Sequence, residues 1–64
     1  MIGYVAKDKC NEVYLHVEEP TYDNKLEGWY SAPDMINITG QFPDFDSMSY
    51  KDKPIKVEIN IKRV

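Results

Sequence analysis

The chain has 64 residues, a net charge of −3 and 30% charged residues, which leaves room for one domain with one modest core. Its lone cysteine, Cys10, excludes an internal disulfide, and one His with one Cys cannot supply the four N/S ligands of a structural zinc site. The mildly acidic balance argues against a dedicated nucleic-acid binder and falls short of the dense acidity of a DNA mimic.

A domain this small buries only about 60% of its unfolded surface, so it needs an additional source of stability. Five Tyr, one Trp and two Phe make dense aromatic packing the available one. No apolar run is long enough to span a membrane as a helix. The start, Met1-Ile-Gly-Tyr-Val-Ala-Lys7, lacks the basic segment and long apolar run of an export signal. With the unpaired cysteine, this predicts a cytoplasmic protein.

In chain order, Ile2 to Lys7 alternates weakly and Glu12 to Glu18 alternates better, with Val13, Leu15 and Val17 on one face. The polar stretch Asp8-Lys9-Cys10-Asn11 between them has hairpin length. Placing Lys7 opposite Glu12 pairs Ala6 with Val13, Tyr4 with Leu15 and Ile2 with Val17. Glu19-Pro20 ends the second strand, because Pro cannot donate to a ladder. Thr21 to Lys25 reads as a connecting loop, in which Asp23-Asn24 tolerate turn geometry. Glu27 to Ser31 reads as a short strand with Trp29 buried, broken by Pro33-Asp34. Met35 to Thr39 follows as another.

Gly40 to Lys53 has no regular period and reads as a packed loop whose aromatics close one end of the core, with a helical turn capped at Asp46-Ser47. From Pro54 to Val64, Ile55, Val57, Ile59 and Ile61 alternate with Lys56, Glu58, Asn60 and Lys62, the pattern of a half-buried strand. The predicted fold is therefore all-β: one domain over residues 1–64, a curled antiparallel sheet of four to five strands with one long packed loop. The predicted core is Ile2, Tyr4, Val13, Leu15, Val17, Trp29, Ile36, Ile38, Phe42, Ile55, Val57, Ile59 and Ile61. An open sheet of this size presents edges, which predicts a homodimer.

Chemistry-bearing patterns are sparse. Asp44-Phe-Asp46 resembles the start of a calcium loop, but Met48, Ser49 and Ile55 stand where a ligand, the Gly and the final acid belong. His16 is predicted on an outward strand face with Glu18, and Cys10 at a hairpin tip, so no catalytic pair forms. Gly3, Gly28 and Gly40 are too scattered for a phosphate loop. These patterns predict no enzyme, no cofactor and no metal. Tyr14, His16, Tyr22 and Tyr30, placed off the core face or in loops, form the candidate protein-interaction surface. The alternative is weak single-stranded nucleic-acid binding through Lys56, Lys62 and Arg63.

The order of motifs carries a resemblance. Tyr4-Val-Ala-Lys-Asp-Lys9, Val13-Tyr-Leu15, Glu19-Pro20, Trp29, Phe42-Pro43 and Ser49-Tyr-Lys-Asp-Lys-Pro54 lead into Ile55-Lys-Val-Glu-Ile59. This resembles a family of small uncharacterised proteins of bacterial genomes and their phages and other mobile elements. The resemblance implies an accessory protein that modulates a host process by contacting another protein. It implies no activity and no catalytic residues. Lys51 and Lys53 stand where that family commonly carries acids.

Overall fold

The computed structural model describes residues 1–31 and 35–60. The fold is all-β and antiparallel. Its strands are β1 (Ile2–Lys7), β2 (Val13–His16), β3 (Thr21–Asp23), β4 (Gly28–Tyr30), β5 (Met35–Asn37) and β6 (Ile55–Glu58). A four-stranded sheet runs in the order β5-β2-β1-β6, and β3 and β4 form a separate two-stranded sheet. The segment 21–25, predicted as loop, thus contains β3. Its partner is Gly28–Tyr30, and the pair makes a second hairpin in place of a single enlarged sheet.

The first hairpin forms where the sequence predicts it, but with a different register. Lys7 pairs with Val13, Ala6 with Tyr14, Val5 with Leu15 and Tyr4 with His16. The reason lies in the turn. The Asn11 amide donates to Asp8 O at 2.9 Å and the Asp8 amide to Glu12 O at 2.9 Å. Asn11 closes the turn in the left-handed region at φ 71°. Only Lys9, Cys10 and Asn11 are therefore looped out, in the three-residue hairpin geometry, instead of a four-residue turn. A one-residue slip exchanges the faces of a strand. Gly3, Val5 and Lys7, and not Ile2, Tyr4 and Ala6, accordingly share a face with Val13 and Leu15.

That first face carries the core. Val5, Val13, Ile38 and Met48 are buried together, with Leu15, Phe45 and Val57 packed against them. Each such aliphatic side chain contributes about 1.5–3 kcal/mol when fully buried. The long loop supplies Met48 and Phe45. Its helical turn is a 3-10 turn at Pro43–Phe45, ahead of the expected Asp46-Ser47. Pro43 starts it because its ring presets the required φ. The Lys7 ammonium donates to Asp46 O at 2.9 Å and ties the loop to β1.

Several predicted core residues are instead exposed: Ile2, Val17, Ile36, Phe42 and Ile55. Ile2 is turned away by the register change. Val17 lies past the end of β2, and Ile36 and Ile55 stand on the edge strands β5 and β6. Ile61 lies outside the described residues. Gly3 is buried near the start of β1, where an added Cβ would collide with the Ile59 side chain and stand 3.2 Å from His16 O.

The second face of the sheet holds Tyr4, Ala6, Tyr14 and His16, and the β3–β4 hairpin packs against it through β1. Ala6 and His16 are both wholly buried there. Polar bonds fasten the hairpin. Asp8 accepts the Trp29 amide at 2.9 Å, and the Lys9 amide donates to Glu27 O at 3.2 Å. No helix among the described residues is long and apolar enough to cross a membrane.

Candidate functional site

The second hairpin builds an aromatic groove. Tyr22 and Trp29 are direct cross-strand neighbours on β3 and β4, so their side chains leave the same face. Their rings meet edge to face, with centroids 5.3 Å apart and planes at 72°. Such a pair contributes about 0.5–1.5 kcal/mol beyond its burial. The loop adds a third ring. The Trp29 indole N–H donates to Tyr50 O at 3.1 Å, which locks the indole orientation and holds Tyr50 beside it.

The turn that presents Tyr50 and Lys51 is itself fixed. The Ser49 amide donates to the Asp52 carboxylate at 2.8 Å, the Asp52 amide to Ser49 O at 3.0 Å and the Lys51 amide to Ser49 Oγ at 3.2 Å. The result is a groove of about 460 Å³ lined by Tyr22, Trp29 and Tyr50 with Lys9, Asn24, Glu27 and Lys51. That volume falls in the range of ligand pockets. Two ammonium groups flank the third ring, Lys9 Nζ at 6.0 Å and Lys51 Nζ at 5.9 Å from the Tyr50 centroid. Their charges are not equivalent. Lys9 pairs with Glu27 at 3.4 Å, whereas Lys51 makes no ion pair among the described residues.

A second groove, of about 450 Å³, lies over the core face between Leu15, Phe42, Phe45 and Val57. It is predominantly apolar and presents no convergent set of donors and acceptors. Among the described residues, no group of three or more His, Cys, Asp or Glu is placed to hold a metal ion.

The predicted interaction surface does not form one patch. Tyr22 stands in the groove. Tyr30 is exposed but alternates to the opposite face of β4 from Trp29. Tyr14 is half-buried, its ring 6.5 Å from that of His16, and burial together with the Glu12 and Asp8 carboxylates raises its pKa. His16 is a correction. It is fully buried and not on the surface: it keeps the face opposite Val13 and Leu15 that the sequence predicts, but that face is covered, with Ser31 after β4 lying against it.

The partner of His16 is Ser31, with Nδ1 2.9 Å from Oγ, and not Glu18 or Cys10. Its Nε2 is buried without a partner among the described residues. The tautomer favoured by these surroundings donates from Nδ1 to Ser31 and leaves Nε2 a bare lone pair, since a buried orphan N–H costs more. Burial lowers the His16 pKa below its ordinary value, against a smaller upward pull from Asp8. Cys10 is exposed, and its thiol donates to Glu12 at 3.3 Å. Of the predicted basic face, Lys56 is exposed on β6 opposite Tyr4. Lys62 and Arg63 lie outside the described residues.

The sequence reading missed Trp29 and Tyr50 as site residues: it assigned Trp29 to the core and Tyr50 to the loop that closes one end of it. The available signal was the pair Tyr22 and Trp29 placed symmetrically about a turn that begins at Asp23-Asn24. Asp23 Oδ1 accepts the Lys25 and Leu26 amides at 2.8 and 3.1 Å, the side-chain bonding that makes Asp a turn former. Comparison of the chain with family models, curated proteins and solved structures finds no match in any of the three.

Proposed function

We propose that this protein is a non-enzymatic protein-interaction module whose binding surface is the Tyr22–Trp29–Tyr50 groove, and that it acts as a phage or mobile-element accessory protein modulating a host process. One observation carries the reading. Three aromatic rings from two separate segments are held half-exposed in fixed orientation around an open groove, where a core would have buried them. Tyr and Trp present large rigid contact area at low entropic cost and are enriched at protein contacts. The mobile-element part rests on the order of motifs set out above.

The test is capture from a bacterial lysate by the immobilised protein and by a Tyr22→Ala/Tyr50→Ala variant. A protein retained by the wild type and lost by the variant, and then reconstituted as a complex on gel filtration, supports the reading. If nothing distinguishes the two baits, the groove is not a protein-binding surface.

A further inference from the structure

We propose that the groove takes an extended partner segment bearing one acidic side chain next to an aromatic one, the carboxylate on Lys51 and the ring against Trp29 and Tyr22. This rests on the protein-binding reading above and names the chemistry of the partner. The charge balance of the groove decides it. Lys9 and Glu27 neutralise each other at 3.4 Å and Lys51 makes no ion pair among the described residues, so the side chains lining the groove carry one net positive charge. Both ammonium groups lie about 6 Å from the centroid of the Tyr50 ring. An anion is thus favoured beside a flat apolar surface.

Other guests fit less well. Aromatic cages that bind quaternary ammonium or methylated lysine need cation-free ring faces, and here two lysines already hold that place. Single-stranded nucleic acid also stacks on rings, but its affinity comes from several phosphate contacts. One lysine outside any ion pair among the described residues, on a chain of net charge −3, supplies little of that. A terminal carboxylate is held by a cluster of backbone N–H groups, whereas the cation here is a side-chain ammonium beside an open groove.

Trp29 is the only tryptophan, so its fluorescence reports occupancy directly. The probes are blocked tetrapeptides, acetyl-Ala-Glu-Phe-Ala-amide and its Gln counterpart, the same Gln peptide with a free C-terminus, and a thymidine oligonucleotide. The Glu peptide is expected to bind about twofold to fivefold tighter than the Gln peptide, the worth of one exposed ion pair. That preference is expected to vanish in Lys51→Ala and at high salt.

Equal binding of the blocked Glu and Gln peptides overturns the acidic-partner proposal and leaves the groove as a protein-binding surface. So does a preference that survives Lys51→Ala. A free C-terminus that restores affinity to the Gln peptide reassigns the anion to a chain end. Tighter binding of the oligonucleotide than of any peptide overturns both readings at once. If no peptide binds while lysate capture still depends on Tyr22 and Tyr50, the acidic-partner proposal fails and the protein-binding reading stands.

Discussion

The carboxylate of Asp8 accepts the backbone N–H of Trp29 at 2.9 Å, and it does so across a gap that only Gly28 leaves open. A Cβ at position 28 would stand 2.8 Å from the Asp8 carboxyl carbon. The tip of the first hairpin thereby holds the second hairpin, and with it the groove, against the sheet. Asp8→Ala is expected to cost about 1–3 kcal/mol, because it leaves a part-buried amide unpaired. Gly28→Ala is expected to cost a similar amount by overpacking. In the double variant the two losses should fall short of their sum, since the carboxylate that the new methyl would meet has gone. Urea denaturation of the four proteins measures this, and strict additivity would show that the two residues do not act on each other.

Acid should weaken the fold through His16. Its folded pKa lies below the ordinary value because burial disfavours the imidazolium. The unfolded chain therefore binds the proton more readily, and stability rises with pH in that window. The contribution is complete above the unfolded value of about 6.5 and is lost as pH falls toward and through the folded pKa, with a slope of at most about 1.4 kcal/mol per pH unit. His16→Leu should remove this slope, at a cost of about 0.5–1.5 kcal/mol at pH 7.5 for the lost Nδ1–Ser31 hydrogen bond; the Nε2 it deletes has no partner among the described residues. Thermal melts of both proteins between pH 7.5 and 5 compare the slopes. Parallel curves would mean that His16 takes up its proton equally in the folded and unfolded states, so that burial does not shift it.

Two non-glycine residues sit in the left-handed region, Asn11 at φ 71° and Glu27 at φ 55°. Asn tolerates that conformation, but Glu is strained in it. Glu27→Gly should therefore raise stability by about 0.5–1 kcal/mol, offset by a few tenths for the exposed Lys9 pair. It should also free the Lys9 ammonium and strengthen binding of the acidic peptide. A melting temperature that rises without a gain in peptide affinity would separate the strain effect from the charge effect.

The loop buries Met48 in the core and leaves Phe42 exposed, and substitutions should distinguish the two. Met48 is buried with Val5 and Val13, so Met48→Ala is expected to cost about 2–5 kcal/mol as a core truncation. Phe42→Ser, at an exposed position of the same loop, should stay within about 0.5 kcal/mol. Equal losses in the two variants would argue against the core as described.

What the sequence made legible was alternation. Ile2 to Lys7, Val13 to His16 and the run from Ile55 each form a strand, and the all-β class follows from them. What stayed hidden was parity. Both faces of the sheet are partly covered, one by Met48 and Phe45 and the other by the second hairpin. Val5 and Tyr4 are then nearly interchangeable as candidates for the core, and a single left-handed Asn11 decides between them. The groove was hidden for a related reason. Trp29 looks like core in one dimension, and its exposure depends on Tyr50 and Lys51, which arrive from a loop without periodicity. Tyr22 was found, but its neighbours in space were not its neighbours in sequence.

The placement of β1 between β2 and β6 has a consequence for how the chain reaches this state. β1 gains one partner almost at once, across a three-residue turn. It gains the other only from residues near the far end of the described chain, where the Met1 ammonium meets Ile59 O across 58 positions. Until that strand arrives, β1 is an open edge carrying Val5 without its lid. During synthesis the early hairpin must wait in this half-paired form, a template for any extended strand it encounters. The order of assembly makes β6 the piece whose docking ends that exposure.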